Sequence, residues 1–550
     1  MTGALRRIGW AAAPSVLVMV SALALPGCSS GGHGAAPASA GPGAQRAGAG
    51  LAGHGKPATA PGLTGAVGPV ARSCRGVAVT AASDVQHVIN AHPPGTAFCL
   101  SAGTYRLAAP LAPKRGDALI GRPGAVLNGS KVLTGWRRSG HVWWTTGFLP
   151  AAPNTHGECL AAAPLCTYTQ DVFFDKRRLT RVDSLAAVTA GTMYADYRTG
   201  TIAIGNDPRS HLVEQAVAPS LIRATVDDVT VANLVIEEAA NEAQVGAVES
   251  RHVFGAGRNG SGWRILHNDV RLNHGAGIGF AGASIVAGNF IHDQGQLGFG
   301  AYGTGSVVTS NEISFNGAAG YSSQWEAGGS KSWQTRRETL THNYVHDNRG
   351  PGLWDDGGNI DTTYEYNLIV NNWGAGIQHE ISYDATIANN QISGNGFRLH
   401  NGWAWDAGIE IQSSGGTKLI DVENNLVVGN YNGITLIDSG ARAGDWPAPY
   451  GPHILQNVWV HGNTITGFGG RTGAFEDHND PAIFTTNHNR FDANLYYVGS
   501  LTGPRFSWAN ADMGWERWRG YGNDPNGRAK LATAQDLNQI ITHAAAGYHW

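Results

Sequence analysis

From about Gly262 onward the chain keeps returning to one arrangement of polar and apolar positions: Asn, any residue, Val or Ile, two residues, then Asn or Gln, and shortly afterwards Gly followed by an apolar residue. The copies are NDVRLN from Asn268, NFIHDQ from Asn289, NEISFN from Asn311, NYVHDN from Asn343, NLIVNN from Asn367, NQISGN from Asn390 and NLVVGN from Asn425, with a degenerate NTITGF from Asn463. Where no insertion intervenes the copies lie about two dozen residues apart, the length of one supersecondary unit and too short for a domain. The Gly-apolar pairs recur as GIGF at Gly277, GFGA at Gly298, GLWDD at Gly352, GIQHE at Gly376, GIEIQ at Gly408 and GITLI at Gly433. Such alternation predicts short strands with one face inward, joined by turns for which Asn and Gly supply the left-handed backbone. Stacked coils pair equivalent strands in parallel and set like side chains about 4.8 Å apart, so the asparagines are expected to form an amide ladder and to be turn residues, not ligands.

Both ends of this region carry helix signals. Ser83-Asp84-Val85-Gln86 has the form of a capping box opening a short helix with Val85, Val88 and Ile89 apolar, and PGTAFCLSAGTYRL from Pro94 reads as the strand pair after it. Thr533-Ala534-Gln535-Asp536 precedes LNQIITHAAAG, a second capped amphipathic helix. Helices there would cover the exposed strand edges. Leu149 to Pro219 is less regular, contains MYADYRTGTIAIG and is expected to be a β-rich insertion.

The first residues add a compartment. Arg6 and Arg7 precede an apolar run from Ile8 to Leu25 that ends in Leu25-Pro26-Gly27-Cys28, the order of a secretory signal. The small residue before Cys28 resembles a bacterial lipobox, which implies removal of residues 1–27 and acylation of the Cys28 thiol. Pro14, Pro26 and Gly27 leave too short an apolar stretch for a membrane span. Residues 28–70 are dominated by Gly, Ala, Pro and Ser and predict a flexible tether. The expected product is an exported, outward-facing membrane lipoprotein, monomeric and touching the membrane only through its lipid anchor.

With 38 basic and 41 acidic residues the net charge is −3, which excludes a nucleic-acid binder dependent on a basic face. Seventy-seven glycines and a charged fraction of 14% suit a turn-rich β protein. Beside Cys28 there remain Cys74, Cys99, Cys159 and Cys166, an even number in a disulfide-permissive setting. Pairs Cys74-Cys99 and Cys159-Cys166 are the expected arrangement, one of three connectivities the sequence allows.

On these Asn and Gly positions the chain resembles, from roughly Cys74 to Ser500, the right-handed parallel β-helix proteins of the pectate-lyase-like and NosD-like superfamily. The resemblance implies an all-β, right-handed parallel β-helix over residues 71–500, with an N-terminal capping helix and a C-terminal cap over 501–550.

If the residue after each Gly points inward, the second and fourth after Gly point outward. The outward rows then read Trp354, Gln378, Glu410, Thr435 and Tyr302, Gln324, Asp356, Glu380, Gln412, where Gln324 takes Gly320 as its anchor. Amides, carboxylates and aromatic rings on one exposed sheet face suit a sugar polymer. The longest insertions, YSSQWEAGGSKSWQTRRE before Thr339 and FRLHNGWAWD before Ala407, adjoin the same region, and Trp403 and Trp405 in the second are candidate sugar platforms.

Two chemistries fit. Asp356 and Glu380 on neighbouring coils would place carboxyls about 5 Å apart, as in a retaining glycosidase, while Asp356 to Glu410 spans roughly 10 Å and suits an inverting one. Adjacent carboxylates such as Asp356 and Glu380 are also able to bind Ca²⁺. Alternatively, Glu326-Ala327-Gly328-Gly329-Ser330-Lys331-Ser332 is similar to a segment of β-helix alginate and chondroitin lyases, which implies Glu326 as a Ca²⁺ ligand and Lys331 as a base with a lowered pKa. Those lyases carry an Arg in the following coil where this chain has Trp354-Asp355-Asp356. His379 falls inward beside Asp355, as buried structure or as a catalytic imidazole. The expected activity is cleavage of a polysaccharide by a surface-displayed lyase or hydrolase; the competing class is a non-catalytic glycan-binding or adhesion module.

Overall fold

The computed structural model describes residues 66–540 apart from 71, 72, 255, 256, 441, 448, 468, 469, 534, 537 and 538. Cys28, the signal over 1–27 and all of the expected tether except residues 66–70 lie outside the described residues. So does most of the expected C-terminal helix. Thr533 and Asp536 nevertheless exchange capping-box hydrogen bonds, Thr533 N to Asp536 Oδ2 at 2.7 Å and Asp536 N to Thr533 Oγ1 at 3.2 Å.

Each repeat copy makes one coil of three short strands. In the coil of Asn268 these are Arg264–Leu266, Asp269–Arg271 and Ala276–Phe280. Equivalent strands of successive coils pair in register, giving three long sheets of 13, 13 and 12 strands among the described residues. Inward positions stack. Val231, Ile265, Val286, Val308, Leu340, Tyr364, Ile387, Val422, Val460 and Phe491 form one such column on the first sheet, all essentially without solvent exposure.

The repeated asparagines do form ladders, and there are two. Nδ2 of Asn268 donates to Oδ1 of Asn289, and the same bond passes through Asn311, Asn343, Asn367, Asn390, Asn425, Asn463 and Asn494 to end on the carboxylate of Asp524. The second runs from Asn273 through Gln294, Asn316, Asn348, Asn372 and Asn395 to Asn430; the Asn273, Asn316, Asn348, Asn372 and Asn395 side chains each donate to the next rung's amide, and the backbone N–H of Gln294 donates to Asn316 Oδ1. Each carboxamide also satisfies backbone groups at the turn it occupies. Asn367 Nδ2 donates to Leu340 O at 2.8 Å while its Oδ1 accepts Asn343 N at 3.0 Å. Removing one rung orphans buried groups above and below it, so Asn367→Ala should cost roughly 2–5 kcal/mol in denaturant unfolding. A loss within a few tenths of a kcal/mol would mean the ladder is decoration.

The ends are closed by different means. At the start, helix Val85–Ala91 is capped by Asp84, which accepts His87 N at 3.0 Å, and buries Val85 and Ile89 over the first coil. Cys74 is bonded to Cys99, next to the pairing of strands Val77–Val79 and Ala97–Leu100. At the far end Phe506, Trp508, Trp515, Trp518 and Tyr496 pack together, with helix Trp515–Gly520 supplying two of the rings.

The β-rich insertion begins at Ser130, earlier than Leu149, and runs to Ala216, forming sheets of four and five strands. Its Lys176 ties it to the solenoid, with Nζ 2.8, 2.8 and 2.9 Å from Glu214, Glu237 and Glu238. A loop closed by the Cys159–Cys166 disulfide lies against residues 320–322, through Leu160 N to Gly320 O and Ser322 N to Glu158 O.

Candidate functional site

The third sheet carries the site. Strands Leu353–Asp356, Ile377–Glu380, Ala407–Gln412 and Asn432–Asp438 pair with Trp354, Gln378, Glu410 and Thr435 in one row and Asp356, Glu380 and Gln412 in the next. That is the arrangement expected from counting after glycine, and no bulge shifts the phase at Asp355-Asp356.

One coil upstream the expectation fails. The wall strand is Gly328–Arg336, in which Gly300 pairs with Lys331, Tyr302 with Trp333 and Ser332 with Asp355. The anchor is therefore Gly329, not Gly320. Lys331 stands in the first row and Trp333 in the second, whereas Gln324 sits exposed in a turn off the sheet. Trp333, half exposed and 5.5 Å from the Tyr302 ring, is a surface aromatic that the wrong anchor concealed.

Lys331 is the centre of the cluster. Its ammonium lies 2.6 Å from both Glu326 Oε1 and Asp356 Oδ2 and 4.6 Å from the centre of the Trp354 ring. The nearby charges are negative, so its pKa rises instead of falling toward that of a usable base: burial opposes the charge, and Asp356 and Glu326 outweigh it. The same ammonium bears on the expected Ca²⁺ site. It occupies the position between Glu326 and Asp356 that a Ca²⁺ ion would need, and among the described residues no group of three or more His, Cys, Asp or Glu is arranged to hold a metal. Calcium binding there would require Lys331 to move aside from Glu326 and Asp356.

Glu380, partly exposed beside Asp356, accepts hydrogen bonds from Trp354 Nε1 at 3.2 Å and Gln378 Nε2 at 2.9 Å. Burial first, and then the Asp356 charge, push its pKa up to about 7 against the opposing pull of Arg442 and Lys331. Arg442 was not foreseen; it comes from the segment after Asp438, remote from the repeat pattern. Glu410 differs from its expected role. The loop before Ala407 covers it, with Asp406 N donating to its Oε2 at 2.8 Å and Thr435 Oγ1 bonded to Ala404 O, leaving Glu410 only 2% exposed. Burial, and after it the charges of Asp406 and Glu380, hold its pKa well above the ordinary value. Trp403 and Trp405 lie on that loop, Trp403 under Arg471 and Trp405 edge-on to Phe475, and Gln412 donates to Ser439.

Behind the wall the apolar interior is interrupted. His379 faces inward as expected, with Nδ1 3.4 Å from Asp355 Oδ2 and Nε2 2.7 Å from Tyr383 O, both side chains being fully buried. Thr362 Oγ1 donates to Asp355 Oδ2 at 2.6 Å. Glu338, also fully buried, is pushed up to about 8 by burial and by the Asp355 charge. His379 cannot reach the outer face, so its place is in the support of the wall.

Upstream, Arg251 extends over the row that begins Arg223, Glu249, Gly279, Gly300 and Lys331. A Cβ at Gly279 or Gly300 would stand 2.5 or 2.6 Å from a guanidinium nitrogen, so these two glycines make room for the arginine. Arg251 binds Glu249 through Nε and Nη2, both at 2.9 Å, and Gln244 O at 2.7 Å. Gln244 in turn joins His156, three residues before the disulfide loop, at 2.9 Å to Glu326 at 2.8 Å.

A family model described as "Right handed beta helix region" matches residues 255–404 and 337–444. Among solved structures, XylC in complex with xylose is 16% identical over 82% of this chain and 83% of its own, with a TM-score of 0.59. The fold is a right-handed parallel β-helix. Also similar are the catalytic unit of a GH87 α-1,3-glucanase from Streptomyces thermodiastaticus strain HF3-3, 12% identical over 87% of this chain and 70% of that one at a TM-score of 0.44, and the A-module of the Azotobacter vinelandii mannuronan C-5 epimerase AlgE6, 13% identical over 84% and 98% at 0.35. No curated protein matches the β-helix chain.

Proposed function

We propose that this β-helix hydrolyses glycosidic bonds of a polysaccharide on the outer face of its third sheet, with Glu380 as the acid and Asp356 as the nucleophile. The observation that carries this is the register pair Asp356–Glu380: two carboxyl groups on adjacent strands in different surroundings. Asp356 is ion-paired with the Lys331 ammonium, and Glu380 is kept near half-protonation at neutral pH by burial and by its neighbour's charge. Adjacent strands lie about 4.8 Å apart, a spacing compatible with the roughly 5–5.5 Å between the carboxyls of a retaining pair. Asp356 would attack the anomeric carbon while Glu380 gives its proton to the departing oxygen; Glu380 then takes a proton from the water that releases the sugar from Asp356. Elimination is disfavoured because its base would have to be Lys331, which two carboxylates keep protonated. Glu410, buried and protonated, supports the strand and does not meet the glycan. The polymer would be met outside the cell once the leader over residues 1–27 is processed as its sequence implies.

The test is incubation of the purified protein with a panel of neutral and uronate polysaccharides. New reducing ends without the ultraviolet absorbance of unsaturated uronides, released with the configuration of the bond cleaved, are expected. Unsaturated products would establish a lyase instead, and retention on a glycan column without any turnover would establish a binding module.

A further inference from the structure

We infer that the site is closed on its leaving-group side, so that the polysaccharide is cut one sugar in from its reducing end and not at internal bonds. The inference rests on the hydrolytic reading for the direction of cleavage and on the covering of the wall for its content. The two carboxyl groups of a retaining pair flank the scissile bond: the nucleophile approaches the anomeric carbon from one side and the acid meets the departing oxygen on the other. Asp356 and Glu380 stand in one row on neighbouring coils, so the line from attacker to acid runs along the solenoid axis toward the C-terminal coils. The departing sugar therefore lies over the coil of Glu380, and the retained chain lies back over the coils before Asp356.

The wall differs in those two directions. Before Asp356 the row carries Trp333 and Tyr302, the first half exposed, with the two rings 5.5 Å apart, and these offer their faces to the retained sugars. After Glu380 it carries Gln412 and Ile437, with Glu410 and Thr435 beside them, and all four are buried although they point outward. The cover is the loop 397–406. Thr435 Oγ1 donates to Ala404 O at 2.6 Å, Asn432 Nδ2 to Trp405 O at 2.9 Å, and Asp406 N to Glu410 Oε2 at 2.8 Å, so the loop is fastened to the coils it covers. Trp405 carries the cover on to Phe475, the register partner of Ile437. On the other flank the segment of Arg442 doubles back: Arg442 and His453 exchange backbone hydrogen bonds, and Trp446 Nε1 donates to Gly358 O at 2.7 Å. Beyond the scissile bond there remains one coil of about 4.8 Å, close to the length of a single sugar.

The test reads the two ends of the substrate separately. Linear oligosaccharides of graded length, cut from neutral and uronate polymers, are coupled to a bulky fluorophore at the reducing end or at the non-reducing end. Binding is read with Glu380→Gln, which keeps the loop, and cleavage with the native chain on the untagged oligosaccharides and on cyclic forms of the same glycans. A reducing-end tag is expected to lower affinity by about a hundredfold, the scale of a steric clash built against one ligand, and a non-reducing-end tag to leave it nearly unchanged. Native cleavage should release the reducing-end sugar as the first product and leave cyclic glycans uncut. Replacing residues 400–405 by a short Gly-Ser link should bring internal cuts, and the tag comparison decides the matter should that variant not fold. Equal binding of the two tagged forms, exclusion of the non-reducing-end tag instead, or a folded loop variant that still makes no internal cuts overturns the inference. Internal cleavage by the native chain also overturns it and leaves hydrolysis standing. Exclusion of the reducing-end tag without any cleavage keeps the closed end and removes the hydrolytic reading, whereas binding of no glycan overturns both.

Discussion

Glu380→Gln should lower turnover by about 10²–10⁴ while leaving the fold and glycan affinity nearly unchanged, the range expected when a general acid is lost. The pH profile carries the sharper signature. Glu380 gives up its proton near pH 7, because burial and Asp356 hold its pKa there, so native activity should fall as pH rises through that value. The glutamine variant has no proton to lose and should show no fall at that pH. With an aryl glycoside whose leaving group needs no proton, the variant should regain most of its first-step rate. A native-like decline near pH 7 in Glu380→Gln would assign the titration to another group and sink the proposed roles.

The second large effect concerns Glu338, behind the wall. A carboxyl whose folded pKa is about 8, against 4.5 in an open chain, binds more protons folded than unfolded. Its stabilising contribution is therefore complete below about pH 4.5 and is lost as pH rises toward 8. At pH 7 that loss amounts to about 3 kcal/mol. Glu338→Gln keeps the neutral form at every pH, so the variant should gain on the native protein by about that amount between pH 4 and pH 7 in denaturant unfolding. If the difference between the two proteins does not change with pH, Glu338 is not the buried acid that its surroundings indicate.

Much of the architecture was legible because it is written at fixed spacing. The two asparagines of each copy predict the amide ladders, and counting from glycine places Trp354, Gln378, Asp356, Glu380 and the inward His379 on their rows. Where chain length between copies changes, the count loses its origin. The segment before Thr339 contains both Gly320 and Gly329, and only the pairing of strands selects the second. Lys331 was found as a residue, but the lowered pKa expected of it is reversed, since Glu326 and Asp356 are acids brought to it from two directions. Glu410 was placed on the correct row, but its burial depends on a loop whose path no periodicity encodes. The insertion's start at Ser130 and the six-residue helix Trp515–Gly520 are too local to leave a pattern.

The last rung of the longer ladder is an acid, and this changes what the column can do at its end. Every Asn in the column both receives and passes on a hydrogen bond, but Asp524 has only oxygens to offer, which take Asn494, the Tyr496 hydroxyl and the Trp518 indole N–H. A donor chain that meets a pure acceptor has no further link to forge. One atom's difference between a carboxamide and a carboxylate thus turns a link that would pass a hydrogen bond onward into one that only collects them.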